Sequence, residues 1–255
     1  MLETSFDGHG SLIRWVDIRG DLPARVFIHG LGGNGEAILG AVARHPSISG
    51  HRSILVDLPG HGATDRPSDF SYSLDAHAAA VVAVCRAAGV EGVDLVGHSL
   101  GADISVVLAA RNPGLVRRMV ISEGNLDPLP PSPSGRASQA IALQQEEEFV
   151  AGGYQRLMDE NPGWAPTLRR CSPLAIHRSS VGLITGTTPT MRALLVAVAV
   201  PRTFIKGAHG EPLLDEAGLE AAGVHVVTIQ DAGHMMMFDN PPAFVDALAV
   251  GLART

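Results

Sequence analysis

The residue of this chain best placed to do chemistry is a serine between two glycines. Ser99 lies in the segment Gly97-His98-Ser99-Leu100-Gly101, which follows an apolar stretch and precedes a predicted helix over 99–111. On a sharp strand-to-helix turn, larger side chains two residues before or after the serine would collide with neighbouring backbone. The turn would expose the Ser99 hydroxyl and place the Leu100 N–H at a helix N-terminus, where it can bind an oxyanion. We predict a nucleophilic serine; the alternative is an ordinary glycine-rich turn.

A second glycine-rich segment, His29-Gly30-Leu31-Gly32-Gly33, follows a predicted strand over 25–28. Such a loop can turn a backbone N–H towards the nucleophile, and we predict that Leu31 and Leu100 supply the two oxyanion donors. A phosphate-binding loop is the alternative. We expect His29 to support the loop by hydrogen bonding.

These segments must be positioned by a larger framework. Short runs rich in Val, Ile and Leu alternate with longer helical stretches, which predicts an α/β fold with a mostly parallel sheet and helices on both faces. The runs 2–6 and 11–18 flank Asp7-Gly8-His9-Gly10 and predict a β-hairpin at the sheet edge. Further strands are predicted at 25–28, 53–56, 93–96, 118–122, 203–206 and 225–229, and helices near 35–44, 74–88, 99–111, 214–222 and 242–253.

One stretch breaks this alternation. About eighty residues separate the strand ending at Ser122 from the next, far more than an ordinary crossover requires. The stretch opens with a proline- and serine-rich segment over 126–138, predicted to be an exposed linker. Helices are predicted over 141–160, 165–177 and 187–198. We therefore predict a helical cap at 126–200 inserted into a core formed by 1–125 and 201–255.

Four motifs together carry a resemblance to a known superfamily. HGLGG at 29–33, DLPGHG at 57–62, GHSLG at 97–101 and DAGHMMMFDNPP at 231–242 resemble, in order and spacing, serine hydrolases of the α/β-hydrolase superfamily, esterases and lactonases among them. The resemblance implies an α/β-hydrolase fold with an eight-stranded sheet and a cap insertion. It also implies a structural rather than catalytic role for Asp57.

The resemblance implies His234 as the general base, because this residue follows the last predicted strand and precedes the last helix. Serine is a weak nucleophile until a base takes its proton. Gly233 would let the loop approach the site closely. His98 is expected to pack away from Ser99, and His225 lies within a predicted strand.

The acid that orients the base has two candidates. Most relatives place an Asp after the strand that here is 203–206, but this chain offers only Glu211 there, since Asp215 is predicted to lie in a helix. The other position recognised in the superfamily is the end of the preceding strand, where Glu123 stands. Some members, including fungal lactone hydrolases, resemble this second arrangement. We favour Glu123 and keep Glu211 as the alternative.

Residues near the base and in the cap suggest the pocket. Met235, Met236 and Met237 follow His234, and we expect one of them, Met235, to contact substrate while two pack the last helix. Trp164, in a loop between prolines, is the cap residue expected to contact substrate. A pocket with few fixed charges favours a neutral, apolar ester or lactone.

The predicted reaction is hydrolysis through an acyl-enzyme on Ser99. The alternatives are C–C bond hydrolysis, cyanohydrin lysis or acyl transfer with the same residues, a ligand receptor with little turnover, and a non-catalytic protein.

Charge, hydrophobicity and cysteine content argue against several other classes of protein. The net charge of −7 argues against nucleic-acid binding, and no apolar run approaches the ~20 residues of a membrane span. The mixed, acidic N-terminus predicts no cleaved signal peptide and hence a cytoplasmic protein. Cys85 and Cys171 suit neither a metal cluster nor a disulfide framework. We expect no metal and no cofactor, with a homodimer left open.

Overall fold

One eight-stranded sheet organises the computed structural model, which describes residues 1–255. The strands are β1 Leu2–Ser5, β2 Leu12–Ile18, β3 Asp21–Ile28, β4 His51–Asp57, β5 Val93–His98, β6 Val116–Ser122, β7 Arg202–Gly207 and β8 Val224–Ile229. Their order is β1-β2-β4-β3-β5-β6-β7-β8, with β3 to β8 parallel. β1 and β2 are antiparallel at one edge. The predicted hairpin and parallel sheet are confirmed.

Helices cover both faces of this sheet. Those outside the β6–β7 connection are α1 Gly35–Ala43, α2 Leu74–Ala87, α3 Leu100–Arg111, α10 Glu216–Ala221, α11 Met236–Asp239 and α12 Pro241–Ala253. Side chains alternate along β3, so Val26 and Ile28 join a core with α2 and α3, while Phe27 joins a second core with α1 and α12. Asp215 caps α10 from outside, whereas the sequence predicted it inside that helix.

The connection between β6 and β7 is helical. It contains α4 Ala137–Ile141, α5 Glu146–Glu148, a π-helical turn Phe149–Gly153, α6 Tyr154–Glu160, α7 Ala165–Leu168, α8 Pro173–Thr185 and α9 Met191–Ala197. The single helix predicted over 165–177 is wrong, because Ser172 caps a new helix that begins at Pro173. Proline lacks the N–H that an uninterrupted helix would need. The division into core and cap stays a prediction.

The carboxyl ends of β5, β6, β7 and β8 lie at one edge of the sheet because these strands are parallel. Ser99 and Glu123 each come directly after a strand at this edge, and the segments 208–211 and 230–235 follow the next two. Residues far apart in sequence therefore meet here. No helix has both the length and the apolar character needed to cross a bilayer.

Candidate active site

Ser99 occupies a strained turn between β5 and α3. Its φ of 53° and ψ of −120° lie where residues other than glycine are rare. Its N–H donates to the Ser122 carbonyl over 2.8 Å and ties the turn to β6. A Cβ on Gly101 would overlap the carbonyl of Ile28, and a Cβ on Gly97 would overlap α3 backbone. The two glycines are therefore needed for α3 to start this close to the sheet.

The loop after β3 lies directly against this turn. A Cβ on Gly30 would sit 3.2 Å from the Cβ of Ser99. The N–H groups of Leu31 and Leu100 donate no hydrogen bond within the protein. Backbone donors without partners beside a serine hydroxyl can stabilise an oxyanion that forms there.

His29 holds this loop in place. Its Nδ1 hydrogen-bonds the Gly30 carbonyl at 2.7 Å, and its Nε2 accepts the Leu58 N–H at 3.1 Å. Burial lowers the pKa of His29 to about 4, so the ring is neutral near pH 7. The two bonds assign the proton to Nδ1 and give His29 the supporting place expected from the sequence.

The glycines of this loop also have the G-x-G-x-x-G spacing typical of dinucleotide-binding turns. Gly32 has a φ of 69°, and its Cα faces the indole of Trp164, which a Cβ would approach to 2.5 Å. Gly35 lies against β4, where a Cβ would be 2.9 Å from the Val56 carbonyl oxygen. Packing accounts for both glycines, which favours the oxyanion interpretation over the phosphate-binding alternative.

Asp57 is occupied by backbone donors. Its two carboxylate oxygens accept the N–H groups of Gly35 and Ala63, each at 2.9 Å. This carboxylate fixes the loop after β4 to the start of α1, as the family resemblance implied.

Glu123 and His234 form a hydrogen-bonded pair at the sheet edge, in which the carboxylate is buried and the imidazole is partly exposed. Glu123 Oε2 lies 3.1 Å from His234 Nδ1, and Oε1 accepts the Gly207 N–H at 2.9 Å. The Glu123 side chain is only 3% exposed, whereas that of His234 is 42% exposed. With Nδ1 directed at the carboxylate, Nε2 is left to accept a proton from another group.

Close backbone approach makes this pair geometrically feasible. A Cβ on Gly207 would overlap the carbonyl of Gly233 and lie 2.5 Å from that of Ala232. The Gly233 N–H donates to Asp239 Oδ2 at 2.9 Å, which ties the loop to α11. Glycine at 207 therefore lets the segment carrying His234 lie against the end of β7.

Glu211, the alternative acid, lies elsewhere. It is exposed in the loop after β7 and lines the cavity, but it forms no hydrogen bond or ion pair with His234. The N–H of neighbouring His209 donates to the Ala232 carbonyl at 2.9 Å. The structure thus brings Glu123 to His234 and leaves Glu211 apart.

Ser99 and His234 line the same cavity but are not hydrogen-bonded to each other in this structure. Such catalytic bonds are often long without substrate and tighten when it binds. His98 packs beneath the base, with its ring centroid 5.0 Å from that of His234 and its Nδ1 3.1 Å from Ser122 Oγ. Burial holds the pKa of His98 well below its ordinary value, so this ring is a neutral packing group.

The cavity has a volume of about 780 Å³ and an apolar side near the oxyanion loop. Trp164 and Met235, the two predicted substrate contacts, both line it. Met236 and Met237 are buried in the core, as expected for two of the three methionines. The other apolar lining side chains are Leu31, Ala37, Ile38, Ala137, Leu183 and Phe238.

Polar and charged groups line the cavity as well, and the prediction of a pocket with few fixed charges stays a prediction. Arg136 and Glu211 both line it, together with Asn125 and His209. The sequence interpretation missed Arg136 because it falls in the segment predicted to be an exposed linker. The available signal was Gln139, a helix-capping residue three positions later that fixes this turn.

No three His, Cys, Asp or Glu side chains are grouped so as to hold a metal ion. The chemistry described above uses only hydroxyl, imidazole, carboxylate and backbone N–H groups.

Known proteins share this sequence pattern and fold. Residues 23–183 match the family model described as alpha/beta hydrolase fold. An esterase of Mycobacterium tuberculosis is 25% identical over 92% of this chain and 84% of its own length. A 2-hydroxymuconate semialdehyde hydrolase of Pseudomonas sp. (strain CF600) is 35% identical over 38% of this chain and 34% of its own. The solved esterase of Exiguobacterium antarcticum superimposes with a TM-score of 0.79 at 18% identity, covering 98% of both chains.

The matched part spans about a third of the length of several curated relatives, 34% to 36%. Fold and sequence agree in their assignment, because the family model covers most of the chain and the sheet order, strained serine turn and β6–β7 helical connection are all present. The chain belongs to the alpha/beta hydrolase fold family.

Proposed function

We propose that this protein is a serine hydrolase that cleaves a carboxylic ester or lactone, with Ser99 as nucleophile, His234 as general base and Glu123 as the acid that orients it. The observation that carries the proposal is the Glu123–His234 hydrogen bond in the cavity that also holds Ser99. The strained serine turn and the unpartnered N–H groups of Leu31 and Leu100 support it.

In the acylation step, Ser99 Oγ attacks the substrate carbonyl carbon while His234 Nε2 takes the hydroxyl proton. The oxyanion of the tetrahedral intermediate accepts hydrogen bonds from Leu31 and Leu100. The intermediate collapses as His234 gives its proton to the leaving alcohol oxygen. Glu123 stabilises the charged imidazole that exists between these transfers.

In the deacylation step, a water molecule attacks the carbonyl carbon of the acyl-enzyme, and His234 Nε2 takes one of its protons. The second tetrahedral intermediate expels Ser99 Oγ, which recovers a proton from His234. The carboxylic acid product then leaves, and the enzyme returns to its starting state.

The segment 126–200 acts in this proposal as a cap that completes the substrate cavity. Trp164 reaches the oxyanion loop at Gly32, and Arg136, Thr167 and Leu183 also line the cavity. Trp164 and Met235 are the proposed apolar substrate contacts.

The match to a curated esterase over most of both chains favours ester hydrolysis. C–C bond hydrolysis is a second candidate, since the 2-hydroxymuconate semialdehyde hydrolase has a higher sequence identity to this chain than the esterase does, although over a shorter segment. A panel of aryl esters, lactones and β-diketones, analysed by product, distinguishes the two.

The proposal is tested with a fluorophosphonate probe, which reacts with activated serines, followed by peptide mapping. We expect one modification, at Ser99, that is lost in Ser99→Ala. Ser138→Ala is the matched control, because Ser138 is another hydroxyl lining the same cavity. A modification at Ser138, or none at all, would refute the assignment.

A further inference from the structure

We propose that Arg136 forms an anion-binding subsite in the catalytic cavity and that the preferred substrate carries a free carboxylate. The inference rests on the proposed hydrolase function and specifies its substrate class. The Arg136 guanidinium lines the cavity, and its only hydrogen bond is to Asn125 Oδ1. A guanidinium with spare donors is the group best suited to pair with a planar carboxylate.

The backbone of Arg136 is fixed by the loop that carries it. Its N–H donates to Gln139 Oε1 at 2.8 Å, and Gln139 Nε2 donates to the Pro130 carbonyl at 2.6 Å. Gly135 is needed here, because a Cβ would overlap the Gln139 side chain. The buried Gln139 amide thus closes the loop over 130–139 and sets the direction from which the arginine enters the cavity.

The guanidinium is linked to the nucleophile's helix through Asn125. Asn125 Oδ1 accepts from Arg136, and the Asn125 N–H donates to Asp103 Oδ1 at 2.8 Å. Asp103 is 1% exposed and lies on α3 one turn after Ser99. These contacts fix the position of Arg136 relative to Ser99. The Asn125 side-chain nitrogen has no protein partner and is a further hydrogen-bond donor.

The space around Arg136 can accept a substituent of the substrate. A second cavity of about 250 Å³ shares Glu123, Asn125, Arg136 and Glu211 with the catalytic cavity. Two nearby charged groups already have partners other than Arg136: Lys206 forms an ion pair with Glu216, and Glu123 is hydrogen-bonded to His234. Arg136 forms no ion pair of its own, so the positive charge on this side is free for a ligand.

Glu211 is the one carboxylate at this junction without a hydrogen-bond or ion-pair partner, and it is exposed to solvent. It should weaken anion binding by like-charge repulsion. Removing the Glu211 charge should therefore strengthen the preference for a charged substrate, whereas removing the Arg136 charge should weaken it.

The test uses matched pairs of activated esters. The p-nitrophenyl hemiesters of succinate, glutarate and adipate carry the charge in the acyl part, and each is compared with the neutral butyrate, pentanoate or hexanoate ester of the same chain length. 4-Acetoxybenzoate carries the charge in the leaving group and is compared with neutral phenyl acetate. We expect kcat/KM of the wild type to favour the charged member about tenfold or more in at least one pair.

Variants assign that preference to the guanidinium. Arg136→Gln should lower kcat/KM for the charged ester about 10- to 100-fold and change the neutral ester less than threefold. Arg136→Lys should retain part of the preference, and Glu211→Gln should increase it. Arg169→Gln is the matched control, because Arg169 is an exposed arginine of the same inserted segment that does not line the cavity.

A second readout needs no turnover. Glutarate should slow fluorophosphonate modification of Ser99 in the wild type but not in Arg136→Gln, with thermal unfolding confirming that the variant is folded. Equal rates for charged and neutral esters, or equal losses of both in Arg136→Gln, would overturn the subsite while leaving the hydrolase proposal intact. Absence of probe labelling would overturn the hydrolase proposal itself.

Discussion

The cavity that contains Ser99 and His234 has two walls that are built differently. The wall that carries the proposed catalytic residues Leu31, Ser99, Glu123 and His234, here the catalytic wall, is held by backbone contacts so close that glycine is required at positions such as 97, 101 and 207. The inserted wall comes from the segment 126–200 and presents side chains such as Arg136 and Trp164. The difference suggests that changes in the first wall stop the reaction or the folding, whereas changes in the second alter which substrate is used.

The largest effect is expected at the nucleophile. Ser99→Ala should lower kcat/KM for an activated ester by at least about 10⁴-fold, because no group remains to form the acyl-enzyme. Steady-state kinetics measure this, and thermal unfolding should show an unchanged or raised midpoint, since alanine removes a polar group from a strained turn. Residual activity within tenfold of the wild type would place the reaction elsewhere.

The acid should come next. Glu123→Gln keeps the shape of the side chain but removes the charge that stabilises protonated His234, so kcat should fall by about 10²- to 10⁴-fold. Glu211→Gln is the control in the same cavity and should change kcat for a neutral ester less than threefold. Equal losses, or a greater loss in Glu211→Gln, would reverse the assignment of the acid.

The backbone of the catalytic wall should tolerate no added methyl group. Gly101→Ala forces a collision with the Ile28 carbonyl and should reduce the free energy of unfolding by more than about 3 kcal/mol. Gly182, within α8 of the inserted segment, has no atom closer than 3.9 Å to its missing Cβ. Gly182→Ala should therefore stabilise by about 0.5–1 kcal/mol. Urea titrations of both variants test the contrast.

A smaller, selective effect is expected on the inserted wall. Trp164→Ala removes an indole that lines the cavity and contacts the oxyanion loop at Gly32. For an apolar ester, kcat/KM should fall about tenfold, mainly through KM, because substrate loses a large apolar surface. Trp164→Phe should restore most of the loss. A pure kcat effect in both variants would instead assign Trp164 to positioning the loop.

An effect on stability alone is expected at buried histidines between the two walls. His29 and His61 lie 5.3 Å apart between ring centroids, and His77 Nε2 hydrogen-bonds Ser179 on α8 at 3.0 Å. Burial lowers the pKa of His61 to about 3. In the unfolded chain, His61 has an ordinary pKa near 6.5 and binds a proton below that pH, whereas in the folded state it stays neutral. The free energy of unfolding therefore falls as the pH drops below about 6.5.

His61→Gln should flatten that dependence. The loss in free energy of unfolding between pH 7 and pH 5 should be smaller in the variant than in the wild type, by about 1–2 kcal/mol. Urea titrations at the two pH values measure the difference, which is independent of any overall destabilisation. Identical pH dependences would show that His61 is protonated without cost in the folded protein.

The two walls also differ in how far sequence could predict them. The turn at Ser99 depends on local spacing of Gly97 and Gly101, and Glu123 depends on where a strand ends, so both could be read from the chain. Arg136 is only partly predictable. Gln139 indicates a capped helix start, but the position of the guanidinium depends on its contact with Asn125 and on the loop closed by Gln139, contacts between residues 3 to 11 apart in irregular structure. The helix start at Pro173 is a local feature, because a serine cap followed by proline at the first helical position is a sequence signal.

The most direct test of the central claim asks whether Ser99 owes its reactivity to an imidazole supplied from near the other end of the chain. The rate of fluorophosphonate modification at Ser99 is measured in the wild type and in His234→Ala, with His225→Ala as a histidine control on β8. We predict rapid labelling in the wild type and in His225→Ala, and a rate at least about 10²-fold lower in His234→Ala. Undiminished labelling in His234→Ala would contradict the account.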